Sequence, residues 1–365
     1  MKRVTIDKRG SVTAQLSIAT QALLSEKIQA QRGEIIAAKV LERSQRYGHL
    51  EDIYGRQVEI HVGDVVVGAL GQRHALHGHG GVIPETLEVG DTIHMLNLGG
   101  VMGICKTSNP MVGPPTVLEV LGSVLTFPVI DSREGVPANL NMSEMSSTPA
   151  LQEQHIKDVP ILVIISGTCM NAGKTLAASA AVRALKKSGM GVDAAKFTGV
   201  AARKDVLSML DCGATKAMTF VDVGLPSTSA DSAPHSAKQL LYALSHQGTN
   251  PDVIVVEMGD GLLGAYGVME ILKDPIIAQI PTLHVCCASD PVGSFGAMAL
   301  FANELKKRPD IFSGPVTDNH IGCQQIREQL HTKAFNAIIH TEEFGAAVVE
   351  GVKELQKLKH QKEEV

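Results

Sequence analysis

The sequence predicts an α/β chain in two parts. A smaller β-rich, barrel-like amino-terminal domain precedes a domain whose mostly parallel sheet is covered by helices on both faces. Three observations predict this. From Val159 onward, short apolar runs (ILVIIS, DVIVVE, PTLHVCCA) alternate with helix-forming segments, and they are apolar throughout, as strands buried on both faces must be. From Gly33 to about Leu125 the texture is short β-type runs with glycine punctuation, and Val58, Ile60 and Val62 alternate as in half-buried strands. Between them, residues 127–158 are polar, with Pro137, Pro149 and a Ser/Thr cluster, a linker-like composition. The expected divisions are a β-rich domain over 1–126, a linker over 127–158 and a second, α/β domain over 159–365.

Bulk composition narrows the function classes. The 365 residues are 44% hydrophobic and 19% charged, an ordinary globular balance long enough for two domains. A formal net charge of -5 and the lack of a long Lys/Arg run argue against nucleic acid as the main partner. No apolar stretch approaches the ~20 residues of a membrane span, and MKRVTIDKRGS lacks the apolar core of a signal peptide, so a cytoplasmic protein is expected. The six cysteines lack metal-type spacing and fit reduced thiols; Cys286 and Cys287, mid-strand, read as core. Aromatic residues total 3% and tryptophan is absent, which leaves few platforms for stacking bases.

In chain order, a leading helix is expected around Ile18–Gln31. Two segments of the β-rich part look alike, HVGDVVVGALGQ at 61–72 and EVGDTIHMLNLGG at 88–100. Each has Val-Gly-Asp, a turn and an apolar strand, as in a repeated hairpin of a small antiparallel barrel. In the second part the reading is strand at 191–196, helix at 204–210, apolar strand at 217–223 and helix at 236–245. Strands at 252–257 and 281–288 follow, then a helix at 292–307, strand material at 312–317 and 337–340, and a closing helix at 343–359.

The most informative stretch is VPILVIISGTCMNAGKTLAASAAVRAL, Val159 to Leu185. An apolar β-type run enters the loop Gly167-Thr168-Cys169-Met170-Asn171-Ala172-Gly173, followed at once by Lys174, Thr175 and an alanine-rich helix. This is a strand, phosphate loop and helix. Backbone N–H groups turn inward around an anion, the helix N-terminus adds its positive dipole end, and the lysine reaches terminal phosphates. Thr175 is placed to bind the Mg²⁺ that accompanies a nucleoside triphosphate. The usual pattern has four residues between its first glycine and Gly-Lys-Thr; here Gly167 and Gly173 are separated by five, and Thr168 occupies the usual glycine position.

Ligands of such sheets bind beyond the carboxyl ends of the strands. Lys196, ending GVDAAK, could grip phosphates there or lie as a surface lysine with its stem on apolar neighbours. Asp205 opens a predicted helix, where a Mg²⁺ role and a dipole-favoured carboxylate are equally good readings. Glu257 ends an apolar strand and leads into Met-Gly-Asp-Gly, a position suited to Mg²⁺ or its water, with Asp260 a lesser candidate.

These residues resemble dethiobiotin synthetase over about 159–320. GTCMNAGKT, Lys196 in AKFTG, Asp205 in KDVLSML and Glu257 in VVEMGDG follow that family in order and approximate spacing, as do PTLHVCCASDPVGSFGAMAL and Asn319 in GPVTDN. The resemblance implies that Lys174 and Lys196 hold phosphate oxygens, that Thr175, Asp205 and Glu257 organise Mg²⁺, that Asn319 lies near the base, and that the protein is a homodimer. Cys169 and Asn171 stand where the family carries acidic residues, and Met258 where it has glycine. The guanine-reading Asn-Lys-x-Asp is missing, which favours ATP over GTP.

The function expected is therefore an ATP- and Mg²⁺-dependent enzyme of ligase, synthetase or kinase type. It would activate a small-molecule acid by phosphoryl transfer, with Lys174, Lys196 and Glu257 as its catalytic residues. The alternative is a nucleotide-switched protein that binds or delivers a metal or cofactor. Its cargo site would be His74, His77 and His79 in GQRHALHGHGG, histidines that could equally be solvated or bind a substrate anion.

Overall fold

A computed structural model describes residues 1–128 and 134–363. The chain forms two compact units. One contains Met1–Ser147 with two later segments, Val200–Lys204 and Phe220–Ser227; the other contains Thr148–Gly199, Asp205–Thr219 and Thr228–Val365.

The first unit is built from strands β1 (Lys2–Thr5), β2 (Lys8–Arg9), β3 (Gln21–Ser25), β4 (Ile35–Glu42), β5 (His49–Glu51) and β6 (Gln57–Glu59). It continues through β7 (Val65–Leu70), β8 (His79–Val82), β9 (Thr92–Met95), β10 (Val101–Ser108), β11 (Thr116–Thr126) and β12 (Val136–Pro137). β4 pairs with β7 and β11, β11 with β9, β9 with β10, and β10 with β7. That circuit closes, so the β-rich part is barrel-like as expected. One seam departs from the expected antiparallel plan: β7 and β10 run parallel. A parallel pair cannot be joined by a tight hairpin, and here β8 and β9 lie in the connection.

Alternation sorts β4 between two cores. Ile36, Ala38 and Val40 join Val66, Ile93, Met102 and Leu118 in one cluster. Ile35 and Ala37 join Leu24, Val67, Val101 and Leu140 in the other. A period of two on a strand buried on both sides requires this division.

The two Val-Gly-Asp segments form the same turn. Gly63 and Gly90 take φ values of 95 and 94, which glycine accepts without a Cβ penalty. Each following aspartate caps the turn through its carboxylate: Asp64 accepts from His61 N at 2.7 Å and Asp91 from Glu88 N at 2.8 Å. The strands β7 and β9 follow. The repeat is a repeated turn and strand entry, each tied to a different partner strand by the glycine N–H, to Val40 O and Val120 O.

The leading helix is corrected: residues 21–25 form β3, antiparallel to β1 and β11. Ala22 and Leu24 are buried and Gln21 is exposed, a period of two. The polar residues beyond it fold back, with the buried Glu34 carboxylate accepting from Gln29 N and Gln31 N. Pairing on both edges outweighs the helix propensity of an isolated segment. In the stretch expected as a linker, residues 129–133 lie outside the described residues. The rest carries β12 and 3-10 turns at Leu140–Met142, Glu144–Ser147 and Glu153–Asp158. Of its apolar residues, Ala138, Leu140 and Leu151 are buried, whereas Val136 and Met142 are exposed.

The second unit contains β13 (Ile161–Gly167), β14 (Val192–Thr198), β15 (Ala217–Thr219), β16 (Val253–Met258), β17 (Thr282–Cys287), β18 (Ile311–Ser313) and β19 (Lys333–Ala334). Its sheet order is β15-β14-β16-β13-β17-β18-β19, every pair parallel. The helices are α1 (Lys174–Lys187), α2 (Lys204–Asp211, beginning in the first unit), α3 (Ala233–His246), α4 (Val268–Lys273), α5 (Pro291–Leu300), α6 (His320–Leu330) and α7 (Thr341–Glu363). Ile161, Val163 and Ile165 of β13 pack on a stripe of α1 (Ala177, Ala178, Ala181, Val182, Leu185) and on Phe344, Val348 and Val352 of α7. The stripe recurs at helical spacing, so one face of α1 is spent on the sheet. The opposite residues of β13, Leu162 and Ile164, are also buried, which accounts for the unbroken apolar run.

Four further expectations change. The strand expected over 217–223 stops at Thr219, and 220–223 form a turn. The helix expected over 292–307 is α5 followed by a π-helical turn, Phe301–Leu305. The strand expected over 312–317 stops at Ser313, because Gly314 and Pro315 lead into a 3-10 turn. Residues 337–340 are a turn rather than a strand: the Asn336 side chain accepts from Ile338 N and Ile339 N and steers the chain into α7. All six cysteines are free thiols; Cys286 and Cys287 are buried, and burial pushes the Cys286 thiol up to about 12. Among the described residues, no helix is long and apolar enough to cross a membrane.

Candidate functional site

The phosphate-loop sequence forms the geometry its residues require. β13 ends at Gly167, and the chain turns through Thr168–Gly173 into α1. Gly173 has φ 87, left-handed backbone in which a side chain costs roughly 1–2 kcal/mol. Gly167 is needed for close approach: a Cβ there would stand 3.1 Å from both Cγ and Cδ of Lys174, whose stem passes over it. The Lys174 ammonium turns back and donates to Cys169 O at 2.7 Å, inside its own loop. Burial holds its pKa below the ordinary lysine value, against the attraction of the Glu257 and Asp260 carboxylates.

Neighbouring strands frame the loop. Thr168 N donates to Cys287 O at 2.9 Å, and Leu262 N, in the loop after β16, donates to Gly167 O at 2.9 Å. The loop after β17 supplies Ser289, whose hydroxyl lies 3.0 Å from Cys169 Sγ. β13 lies where successive connections diverge, with β14, β15 and β16 on one side and β17, β18 and β19 on the other. That is the switch point at which open parallel sheets form a ligand crevice.

Three of the expected metal-organising side chains converge. Thr175 Oγ1 donates to Glu257 Oε1 at 2.8 Å and lies 3.3 Å from Asp205 Oδ1. Lys196 pairs in register with Glu257 across β14 and β16, and its ammonium forms a buried ion pair with the other Asp205 oxygen. The second Glu257 oxygen, Oε2, is buried without a hydrogen-bond partner. Burial first, and the Asp205 carboxylate second, raise the Glu257 pKa above the usual glutamate value, while Lys196 opposes the rise. An orphaned carboxylate oxygen beside a hydroxyl and a second carboxylate fits a hard divalent cation, which takes oxygen ligands.

The remaining candidates are placed differently. The Asn319 side chain is the N-cap of α6, accepting from Gly322 N at 3.1 Å. Asp260 follows β16 with φ 70 and adds negative charge near Lys174. The His74, His77 and His79 cluster does not assemble as a cargo site. His74 and His77 are exposed, whereas His79 is fully buried with Nδ1 2.9 Å from Ser108 Oγ. Among the described residues, no group of three or more His, Cys, Asp or Glu could hold a metal ion. The cause is that His79 opens β8 and is buried there, whereas His74 and His77 are exposed in the loop before it.

Sequence reasoning missed Ser289 and the close packing of Gly261. A Cβ on Gly261 would stand 2.5 Å from Thr168 O, so this glycine is fixed by the phosphate loop. The glycines after VVE were the available signal for that approach. Glu51 was also missed. It is buried, and its carboxylate accepts from Arg203 N and Lys204 N, each at 2.8 Å, at the start of α2.

A strand, phosphate-loop-type turn and helix at the switch point of a parallel sheet, with acidic side chains facing the loop's threonine, define a P-loop α/β fold. No protein-family model matches the sequence, and no curated protein matches it. Among solved structures, the chain is similar to a DUF1611 family protein from Anabaena variabilis, with 12% identity and a TM-score of 0.39 over 57% of this chain and 62% of that one. It is also similar to chloroplast FtsY from Physcomitrella patens, with 17% identity and a TM-score of 0.32 over 52% and 65% of the two chains. Hydrogenase maturation factor HypB from Archaeoglobus fulgidus shows 14% identity and a TM-score of 0.30 over 57% and 95%. The match thus spans less than two thirds of the Anabaena and Physcomitrella chains.

Proposed function

We propose that the protein is a Mg²⁺-dependent, ATP-binding P-loop protein whose nucleotide state governs the β-rich unit. The observation that carries the nucleotide reading is the Thr175 hydroxyl between the Glu257 and Asp205 carboxylates, directly after the loop lysine. In this reading Lys174 leaves Cys169 O to meet terminal phosphates, Lys196 neutralises phosphoryl charge, and Thr175, Asp205 and Glu257 hold Mg²⁺ or its waters. The bound Mg²⁺ would offset phosphate charge. The chain's own part is positioning: Gly167 and Gly173 admit the phosphates, and Thr175, Lys196, Asp205 and Glu257 are held beside them.

A nucleotide-switched role is favoured because Val200–Lys204, between the site residues Lys196 and Asp205, belongs to the β-rich unit. Loops beside transferring phosphates are the usual elements of such switches. The second reading is phosphoryl transfer to a small acid, as the likeness to dethiobiotin synthetase implies. Two buried lysines beside Glu257 favour it, since a second cation is suited to stabilising a transferring phosphoryl group.

ADP release distinguishes the two. Stimulation by a small carboxylic acid supports transfer, whereas slow, acceptor-independent turnover supports the switch. ATP turnover that is equal in wild type and Lys174→Ala would remove the basis of both.

A further inference from the structure

We infer that Glu51, on β5 of the β-rich unit, is a positioning residue for the nucleotide site, holding Asp205 in place through the backbone that opens α2. The inference rests on the Mg²⁺–nucleotide reading of Asp205.

The first N–H groups of a helix have no partner within it. At α2 they are answered by a distant carboxylate: Glu51 Oε2 accepts from Arg203 N and Oε1 from Lys204 N, both at 2.8 Å. The Ser11 hydroxyl also donates to Glu51 Oε2, and Glu51 is only 3% exposed. The same loop is fixed at two more points. Asn97 Nδ2 donates to Ala201 O at 2.5 Å, and Arg203 Nη1 donates to Ile53 O at 2.5 Å. All of these partners lie in the one unit that includes Val200–Lys204.

The next residue is Asp205, whose carboxylate meets both Thr175 and Lys196. Because Asp205 is bonded directly to Lys204, the direction of its side chain follows the anchored peptide. A carboxylate with both oxygens accepting backbone N–H bonds fixes that peptide more strongly than a neutral group does. Gln in its place offers one acceptor oxygen and turns an NH₂ toward the other N–H. Glu51 thereby fixes the peptide from which one of the proposed Mg²⁺ residues projects.

The experiment compares wild type, Glu51→Gln, Asp205→Asn and the double variant in the full chain. It reads ATP binding at graded Mg²⁺ and amide hydrogen exchange over 200–205 without nucleotide. Glu51→Gln is expected to raise the Mg²⁺ needed for half-maximal binding by ~10-fold, the scale seen when the support of a metal ligand is removed. ATP binding in chelator should stay unchanged, and exchange at Arg203 and Lys204 should quicken. On the Asp205→Asn background the Mg²⁺ effect should vanish, since residues acting through one another are not additive. Equal Mg²⁺ dependence in wild type and Glu51→Gln, or a full additive effect with Asp205→Asn, overturns the inference while leaving Lys174-dependent ATP binding intact. Wild type that binds no Mg²⁺-ATP overturns the nucleotide reading and this inference with it. If Glu51→Gln does not fold, Ser11→Ala decides: a smaller shift in the same direction supports the positioning role, and no shift overturns it.

Discussion

Replacing Glu257 by Gln should weaken Mg²⁺ binding and yet stabilise the nucleotide-free protein. Glu257 is 3% exposed; one oxygen accepts from Thr175, and the other is buried without a partner. A buried unsatisfied polar group costs about 1–3 kcal/mol. Part of that cost is offset by the nearby Lys196 and Lys174 charges, and the Asp205 carboxylate adds to it. Gln keeps an acceptor for Thr175 and leaves its NH₂ as unpartnered as Oε2 was, but it removes the buried charge and its repulsion with Asp205, so a net gain of about 1 kcal/mol is expected. This corresponds to roughly 2–4 °C in the melting of a domain of about 200 residues. The same change removes a hard oxygen ligand, and at least ~10-fold more Mg²⁺ should be needed for ATP binding. Thermal melts without nucleotide, paired with Mg²⁺ titrations of ATP binding, test both effects. A lower melting temperature with unchanged Mg²⁺ dependence would refute the reasoning, because Glu257 would then be a structural carboxylate.

Three further outcomes are expected. Gly261→Ala should cut ATP affinity by ~10-fold or more without touching the ligand, since its Cβ would press on Thr168 O; isothermal titration checks this. Acid should destabilise the β-rich unit as pH falls from 6.5 toward 4, because burial lowers the His79 pKa to about 4. The unfolded chain then binds the extra proton over that window, stability rises with pH across it, and His79→Gln should flatten the dependence in urea melts. Asp64→Ala should destabilise more than Asp91→Ala, by about 1 kcal/mol, although the two close equivalent turns. Asp64 also pairs with Lys8, a difference that chemical unfolding can read.

The parts of this protein readable from sequence are those whose physics is local. The loop 167–175, the apolar strands that carry Lys196 and Glu257, and the helix whose first turn holds Asp205 each announce themselves within a few residues. The sheet then brings them together through parallel register. The Ile18–Gln31 helix failed because pairing with β1 and β11, contributed from elsewhere in the chain, decided that segment. The histidine cluster failed for a related reason: spacing in sequence says nothing about which of His74, His77 and His79 a strand buries. Glu51 was invisible because its partners lie 152 and 153 positions away, and an acidic residue at the end of a short strand carries no local mark.

The most direct test of the central claim is equilibrium binding of ATP to the full chain with and without Mg²⁺, beside Lys174→Ala. Saturable binding that Mg²⁺ strengthens and Lys174→Ala abolishes is the predicted result. Absence of binding by wild type, or equal binding by Lys174→Ala, would contradict the account.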